Sequence, residues 1–313
     1  MCEVRRLVQA ANINFYSSYK WFPHAAGAYL QFPSIYHFNN SGYSLNWLAE
    51  LEKHLARKPA VLVSVVNTQG SVPRERGSWM AVFSDTLVGS IGGGQLEYQA
   101  LALARQSLNA GLPLPTRQRV PLGPSVGQCC GGVVELTYEA VQPADLPALM
   151  KRLQPDLSPL ALFGGGHVGH ALVNVLGELP FALCWIDSRD EVFPTGLPMF
   201  VSCEHSDPVQ AAVSELVAGS AVLIMSFSHA EDLDILAACL MRQRLHGDLG
   251  YIGLIGSATK WATFQHRLQA KGFSQTELAQ VTCPIGLSGI HSKRPEVIAV
   301  SVAAQLLQIS QTM

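Results

Sequence analysis

The sequence predicts an α/β protein in which a C-terminal, doubly wound, Rossmann-like parallel sheet follows a smaller N-terminal α+β domain. Two observations carry the larger part. The apolar runs LALF (160–163), FALCWI (181–186), MFVS (199–202), AVLIMSF (221–227) and YIGLI (251–255) alternate with helix-length segments, and a glycine-rich turn joins the first run to the segment after it. A third observation gives the smaller domain. AVLVSVVN (60–67), WMAVFS (79–84) and LVGSI (87–91) are short β-rich runs separated by Gly, Pro and Asp, followed by a helical stretch at 95–109 and a further strand, VVELTYEAV.

Taken in order, residues 1–43 hold many aromatic, Asn and Ser residues but no sustained period, and are read as an N-terminal extension outside the folded core. From Ser44, a capping residue, Leu45, Leu48, Leu51 and Leu55 recur at helical spacing and open the first domain, expected over 44–145. The proline-rich stretch 142–159 marks the change of rhythm, with a linker at 146–157 and the Rossmann-like domain over 158–313.

Composition narrows the function. With 313 residues, 48% hydrophobic and 14% charged, the chain can bury a core large enough for two domains. A formal net charge of −2 gives no general attraction to nucleic acid or anionic lipid, so neither is expected as a partner. No stretch approaches the roughly 20 apolar residues of a membrane span, and the N-terminal residues lack the apolar core of a secretory signal. A cytoplasmic location is the expectation. Seven cysteines, scattered without regular spacing, read as reduced thiols rather than a disulfide framework.

The turn after LALF carries Gly164, Gly166 and Gly169 in a G-x-G-x-x-G pattern between strand and helix, with Asp187 ending the next strand. The glycines allow close approach of a phosphate and tight helix packing, and the carboxylate stands where a ribose diol is often held. The pattern points to a phosphate-bearing ligand without fixing which, and an inherited tight turn gives the same letters. His167 and His170 lack the neighbours that would complete a zinc site.

Cys129 and Cys130 are adjacent in GPSVGQCCGGVVELTYE, on the loop entering a strand. Flanking Gly127, Gly131 and Gly132 expose amides that favour a thiolate and let a bulky group approach, so use as reactive thiols and burial as small apolar residues stay balanced. Two other loops suit anions: NTQGSVPRERGSWM, with Arg74, Glu75 and Arg76, and GSIGGGQLEYQAL, where Gly92, Gly93 and Gly94 run into a helix whose Glu97 complements the dipole. In SFSHAEDLDIL, Ser228 reads as a helix cap, and His229 has no nucleophile to form a triad.

In combination and order, NTQGSVPRERG, GSIGGGQLE, GQCCGG, LALFGGGHVGHAL, SHAEDLDIL, YIGLIGSATK and CPIGLSGIHSKRPEVIAVSVAAQLL resemble the xanthine dehydrogenase accessory protein family of the XdhC type over residues 45–310. Where that family often carries an arginine after the GLIGS serine, this chain has Ala258. The resemblance implies a chaperone of the molybdenum cofactor that protects its sulfurated form and assists insertion into xanthine dehydrogenase, without needing to turn over a substrate itself. It implies a cysteine desulfurase as sulfur donor and a homodimer. By the same resemblance Cys129 and Cys130, with Gln128 beside them, hold the cofactor or its molybdenum through soft sulfur, and Gly92, Gly93 and Gly94 allow its approach. Gly164, Gly166, Gly169 and Asp187 would take a nucleotide or the cofactor's phosphate. The alternative is an NAD(P)-dependent oxidoreductase built on the same C-terminal glycine loop.

Overall fold

Strand β1 (Ala60–Gln69) is the centre of the first sheet, and the consecutive burial of Ala60–Val63 shows that both faces of that sheet are covered. The computed structural model describes residues 46–123 and 131–310, all within one compact unit. Around β1 lie β2 (Trp79–Val82), β3 (Leu87–Gly89), β4 (Arg117–Pro121) and β5 (Val133–Val141), in the antiparallel order β3-β2-β1-β5-β4. Val61, Val63 and Val65 of β1 pack with Leu96, Ala100 and Ala104 of α2 (Gly94–Ala110). Ala60 and Leu62 face the other way, onto Leu48, Leu51 and Leu55 of α1 (Asn46–Leu55) and Leu149 of α3 (Leu146–Leu153). Each such Val or Leu side chain contributes about 1.5–3 kcal/mol when fully buried.

The proline-rich connection is therefore partly helical: a 3-10 turn, Pro143–Asp145, leads into α3, and Leu146, Met150 and Leu153 join Leu149 against the first core. The expected start of α1 at Ser44 lies outside the described residues.

The second sheet is parallel throughout, in the order β11-β10-β9-β6-β7-β8. Its strands are β6 (Ser158–Phe163), β7 (Phe181–Asp187), β8 (Val201–His205), β9 (Ala221–Ile224), β10 (Tyr251–Leu254) and β11 (Val281–Thr282). Leu160 and Leu162 face α4 (His167–Leu176) and α8 (Pro295–Ser310). Ala161 and Phe163 face α5 (His229–His246), α6 (Ala258–Ala270) and α7 (Gln275–Leu278). Helices thus cover both faces, as expected for a doubly wound sheet.

Three features depart from the sequence reading. Two crossovers lack an α-helix: β7 leads to β8 through a 3-10 turn at Asp190–Val192, and β8 to β9 through a seven-residue 3-10 helix, Val209–Glu215. Pro194, Gly196 and Pro198 break helical periodicity in the first of them. The third is the pair of strands left undrawn. β4, Arg-Gln-Arg-Val-Pro, is an edge strand with one buried residue, and β11 has only two residues.

Gly164 gives this fold a direct test. Its φ is 127°, and a Cβ there would collide with the Met225 carbonyl of the neighbouring strand end. Gly164→Ala is expected to lower stability to urea by about 1–3 kcal/mol from backbone strain. Gly166→Ala, at φ −82° with open space around it, should stay within about 0.5 kcal/mol.

Candidate functional site

Three loops of the N-terminal sheet meet at one end of β1. The antiparallel register sets Gln69, the last residue of β1, opposite Val133, the first of β5. The segment leaving β1 and the segment entering β5 therefore start side by side, and their pairing continues beyond the strands. The Gly132 amide donates to the Ser71 carbonyl at 3.0 Å, and the Leu122 amide donates to the Gly132 carbonyl at 2.8 Å. Cys129, Cys130 and Gln128 lie outside the described residues, but the chain emerging from the cysteine pair is fixed to the 70–77 loop at Gly132.

The triple-glycine loop joins the same cluster from β3. Gly92 has φ 121°, and a Cβ on it would stand 2.6 Å from Pro73 Cγ, so the two loops are packed to the distance only glycine permits. Gly93, with φ 74°, is the N-cap of α2, and Gly94, with φ 61°, is its first residue. One buried carboxylate holds this turn. Glu97 Oε2 accepts from Ser90 Oγ at 2.6 Å and from the Ile91 and Gly93 amides at 3.1 Å each. Glu97 is thus more than a complement to the helix dipole: it is the acceptor around which the loop is wound. Its signal in the sequence is an acid in the first helical turn directly after consecutive glycines. Arg74 and Arg76 remain exposed on the 70–77 loop.

In the C-terminal sheet the chain runs outward through β6, β7 and β8, then returns to set β9 on the other side of β6, so the topological switch lies between β6 and β9. Gly164, Gly166 and Gly169 stand at that point. Gly169 brings α4 against the Gly164 carbonyl, whose oxygen accepts from Trp185 Nε1 at 2.9 Å. His167 opens α4, and His170 lies edge-on to Trp185 at 4.8 Å. Among the described residues no group of three His, Cys, Asp or Glu side chains is arranged to hold a metal ion.

Asp187 is buried and fully engaged. Its Oδ1 accepts from the Arg189 amide and Nε, both at 2.9 Å, and its Oδ2 accepts from the Gly165 amide at 2.5 Å and Arg189 Nη2 at 3.0 Å. Burial by itself would raise its pKa, but the Arg189 guanidinium and the Gly165 and Arg189 amides outweigh it, and the net shift is downward. A ribose diol would have to compete with these four donors. Two contacts also reach from the loop after β7 to the loop after β9 and the first turn of α5, on either side of β6: Ser188 Oγ donates to Glu231 at 2.8 Å, and the Arg189 guanidinium stacks 4.5 Å from the exposed Phe227 ring.

Beyond β9, Ser228 caps α5, accepting from the Glu231 amide at 3.2 Å, while His229 packs edge-on to Phe264. The sequence reading missed Asp232 and Lys260. Buried Asp232 accepts from the Ser226 amide and hydroxyl at 2.8 Å and pairs with Lys260 Nζ at 2.6 Å, tying the loops after β9 and β10 together. A carboxylate four residues into SHAED and a lysine in GSATK carry no motif of their own; only the parallel pairing of β9 with β10 unites them.

Comparison with known proteins matches both halves. The model of the XdhC Rossmann domain matches residues 160–306, and that of the XdhC and CoxI family matches residues 54–119. The uncharacterized protein YqeB of Escherichia coli (strain K12) is 25% identical over 254 residues, which are 80% of this chain and 43% of that protein. The chain thus spans under half the length of this curated relative. A crystal structure described as a xanthine dehydrogenase from Bacillus halodurans has a TM-score of 0.67 at 20% identity, covering 85% of this chain and 96% of that one, a likeness of fold.

Two substitutions test these networks. Glu97→Ala leaves the Ile91 and Gly93 amides without their acceptor and is expected to cost about 1–3 kcal/mol in denaturant unfolding, whereas Glu97→Gln keeps an acceptor oxygen and should cost less. Arg189→Ala should likewise cost about 1–3 kcal/mol at neutral pH. Because the folded pKa of Asp187 lies below its unfolded value, its contribution is complete above about pH 4 and is lost as pH falls through the folded value. Unfolding free energy measured across that acid range should fall less steeply in Arg189→Ala than in the unsubstituted protein.

Proposed function

Because the chain belongs to the XdhC family, we propose that it acts in the maturation of xanthine dehydrogenase, as a chaperone that binds the molybdenum cofactor as cargo, protects its sulfurated form and passes it to that enzyme. The observation that carries this reading is the meeting of the 70–77 and 89–94 loops with the chain leaving Cys129 and Cys130, through the Gly132 amide on the Ser71 carbonyl.

The residue chemistry suits the cargo. Glycines packed at Gly92 and open at Gly93 let a large planar group come close to the backbone, and soft thiolates are suitable ligands for molybdenum and its sulfur. Cys129 and Cys130, with Gln128 beside them, form the retaining element. The other cysteines among the described residues suit that task poorly. Burial pushes the Cys184 and Cys283 thiols up to about 11 and that of Cys239 up to about 12, so all three are protonated at neutral pH. Cys203 is exposed, yet its thiol too is shifted upward by partial burial.

In this reading a cysteine desulfurase supplies sulfur to the cofactor while the chain holds it, and the chain works as a homodimer. The glycine loop at Gly164, Gly166 and Gly169, with Asp187 behind it, is the second element, taking the cofactor's phosphate or a nucleotide on the N-terminus of α4. No helix among the described residues is long and apolar enough to cross a membrane.

Cys129→Ala, Cys130→Ala and the double variant test the proposal directly. Protein purified from cells that make the cofactor is analysed for molybdenum and pterin, and then for activation of cofactor-free xanthine dehydrogenase. At least one substitution should lower loading by about tenfold or more, the scale of a lost metal-site contact. Loading and activation unchanged in the double variant would overturn the proposal.

A further inference from the structure

Helical cover of the parallel sheet is incomplete at the amino ends of β7 and β8, away from the Gly164 loop. A parallel sheet normally buries both faces, yet Ala182, the second residue of β7, and Ser202, the second of β8, are exposed. Side chains alternate along a strand, so Ala182 shares a face with Cys184, and Ser202 lies opposite Cys184 in the register. On that face the 3-10 helix Val209–Glu215 stands where a crossover helix would, burying Val209, Ala212 and Val213 but leaving Ala182 and Ser202 bare. The result is a cleft of about 420 Å³ over the amino-terminal halves of β6, β7 and β8. Its volume is that of a small-molecule site.

The lining is mainly apolar: Leu216 belongs to the core, while Met199 and Val217 present apolar surface at 42% and 66% exposure. Its polar element is Glu204. This half-buried carboxylate makes no ion pair among the described residues, and its one side-chain hydrogen bond there is accepted from the Cys184 thiol at 3.7 Å. A thiol is a weak donor, so most of the carboxylate's acceptor capacity is unused. Glu215 also lines the cleft, but it accepts from Ser214 Oγ at 3.1 Å and lies in the field of Arg242. No described lysine, arginine or histidine lines the space. We propose that this cleft binds a small primary amine with an aromatic or alkyl body. The ammonium pairs with Glu204, and the body covers Met199, Leu216 and Val217. The site shares no residue with the cysteine pair or either glycine loop, so it goes beyond the function proposed above.

Calorimetric titration of the full chain at neutral pH with tryptamine, octylamine and the matching alcohols, tryptophol and octanol, tests the proposal. At least one amine should bind at a single saturable site, at least about tenfold more tightly than its alcohol, the scale of one charge-assisted hydrogen bond. Glu204→Gln should weaken that amine by a similar factor and leave the alcohol unchanged. Ala182→Leu fills the cleft from an exposed position outside the core, and should weaken the amine at least as much at an unchanged unfolding midpoint. Binding should persist in the Cys129→Ala, Cys130→Ala double variant, which separates this site from cofactor retention. Absence of saturable binding by both amines, an amine bound no more tightly than its alcohol, or equal binding by the unsubstituted protein and Glu204→Gln overturns the proposal.

Discussion

The pairing of β1 with β5 is the constraint on which the N-terminal half depends. Nine residue pairs run from Ala60 opposite Val141 to Gln69 opposite Val133, with a bulge between Val65 and Asn67 that shifts the register once along the way. Because side chains alternate, a slip of one residue would turn Val61, Val63 and Val65 away from α2 and reverse both faces of the sheet. The hydrophobic core therefore selects the register. The register, in turn, decides that the arginine-bearing loop after β1 and the segment from the cysteine pair leave the sheet at one corner. Chemistry that is scattered from residue 70 to residue 132 is brought together by burial of valines several residues away.

The two glycine-rich turns solve different problems with the same letters. In the first, Glu97 lies C-terminal to the turn and gathers a hydroxyl and two backbone amides, so its charge is spent on shaping the loop and the outward surface of Gly93 stays open. In the second, Asp187 gathers the Gly165 amide and the whole Arg189 fork, and the segments on either side of β6 meet through Ser188 with Glu231 and Arg189 with Phe227. A fingerprint associated with dinucleotides is there complemented from within the chain. This is a physical instance of fold without implied ligand: strand, turn, helix dipole and acid are all in place, but the acid's lone pairs are committed.

Much of the fold was legible because its signals are local. The β-rich run at 60–67 and the apolar runs of the second sheet state their burial directly, and the G-x-G-x-x-G turn marks the start of α4. The edge strand β4 was not legible, since a charged segment with one buried valine acquires strand character only from pairing with β5. The missing crossover helices were readable in principle from Pro194, Gly196 and Pro198, but regular alternation of strand and helix was the stronger expectation. At the site, the glycines were legible and their partners were not. Arg189, Asp232 and Lys260 are ordinary charged residues until tertiary structure buries or pairs them, and nothing in the sequence distinguishes them from a solvated surface; Glu97 stands out by its place after consecutive glycines, but only as a complement to the helix dipole.

That difference bears on what these charges contribute. Exposed pairs such as Arg152 with Glu139 are worth little in water, whereas a buried carboxylate deprived of its donors is costly. Glu97, Asp187 and Asp232 are all buried, and each has backbone amides among its donors. Each therefore fixes main chain rather than a mobile side chain: the turn before α2, the turn before α4 and the loop after β9. Glycine allows these turns to form but does not choose among the many conformations open to it. The carboxylate makes that choice. A loop can then be open enough to admit a large ligand and still arrive with its amides already oriented, which is the condition for binding without an ordering cost.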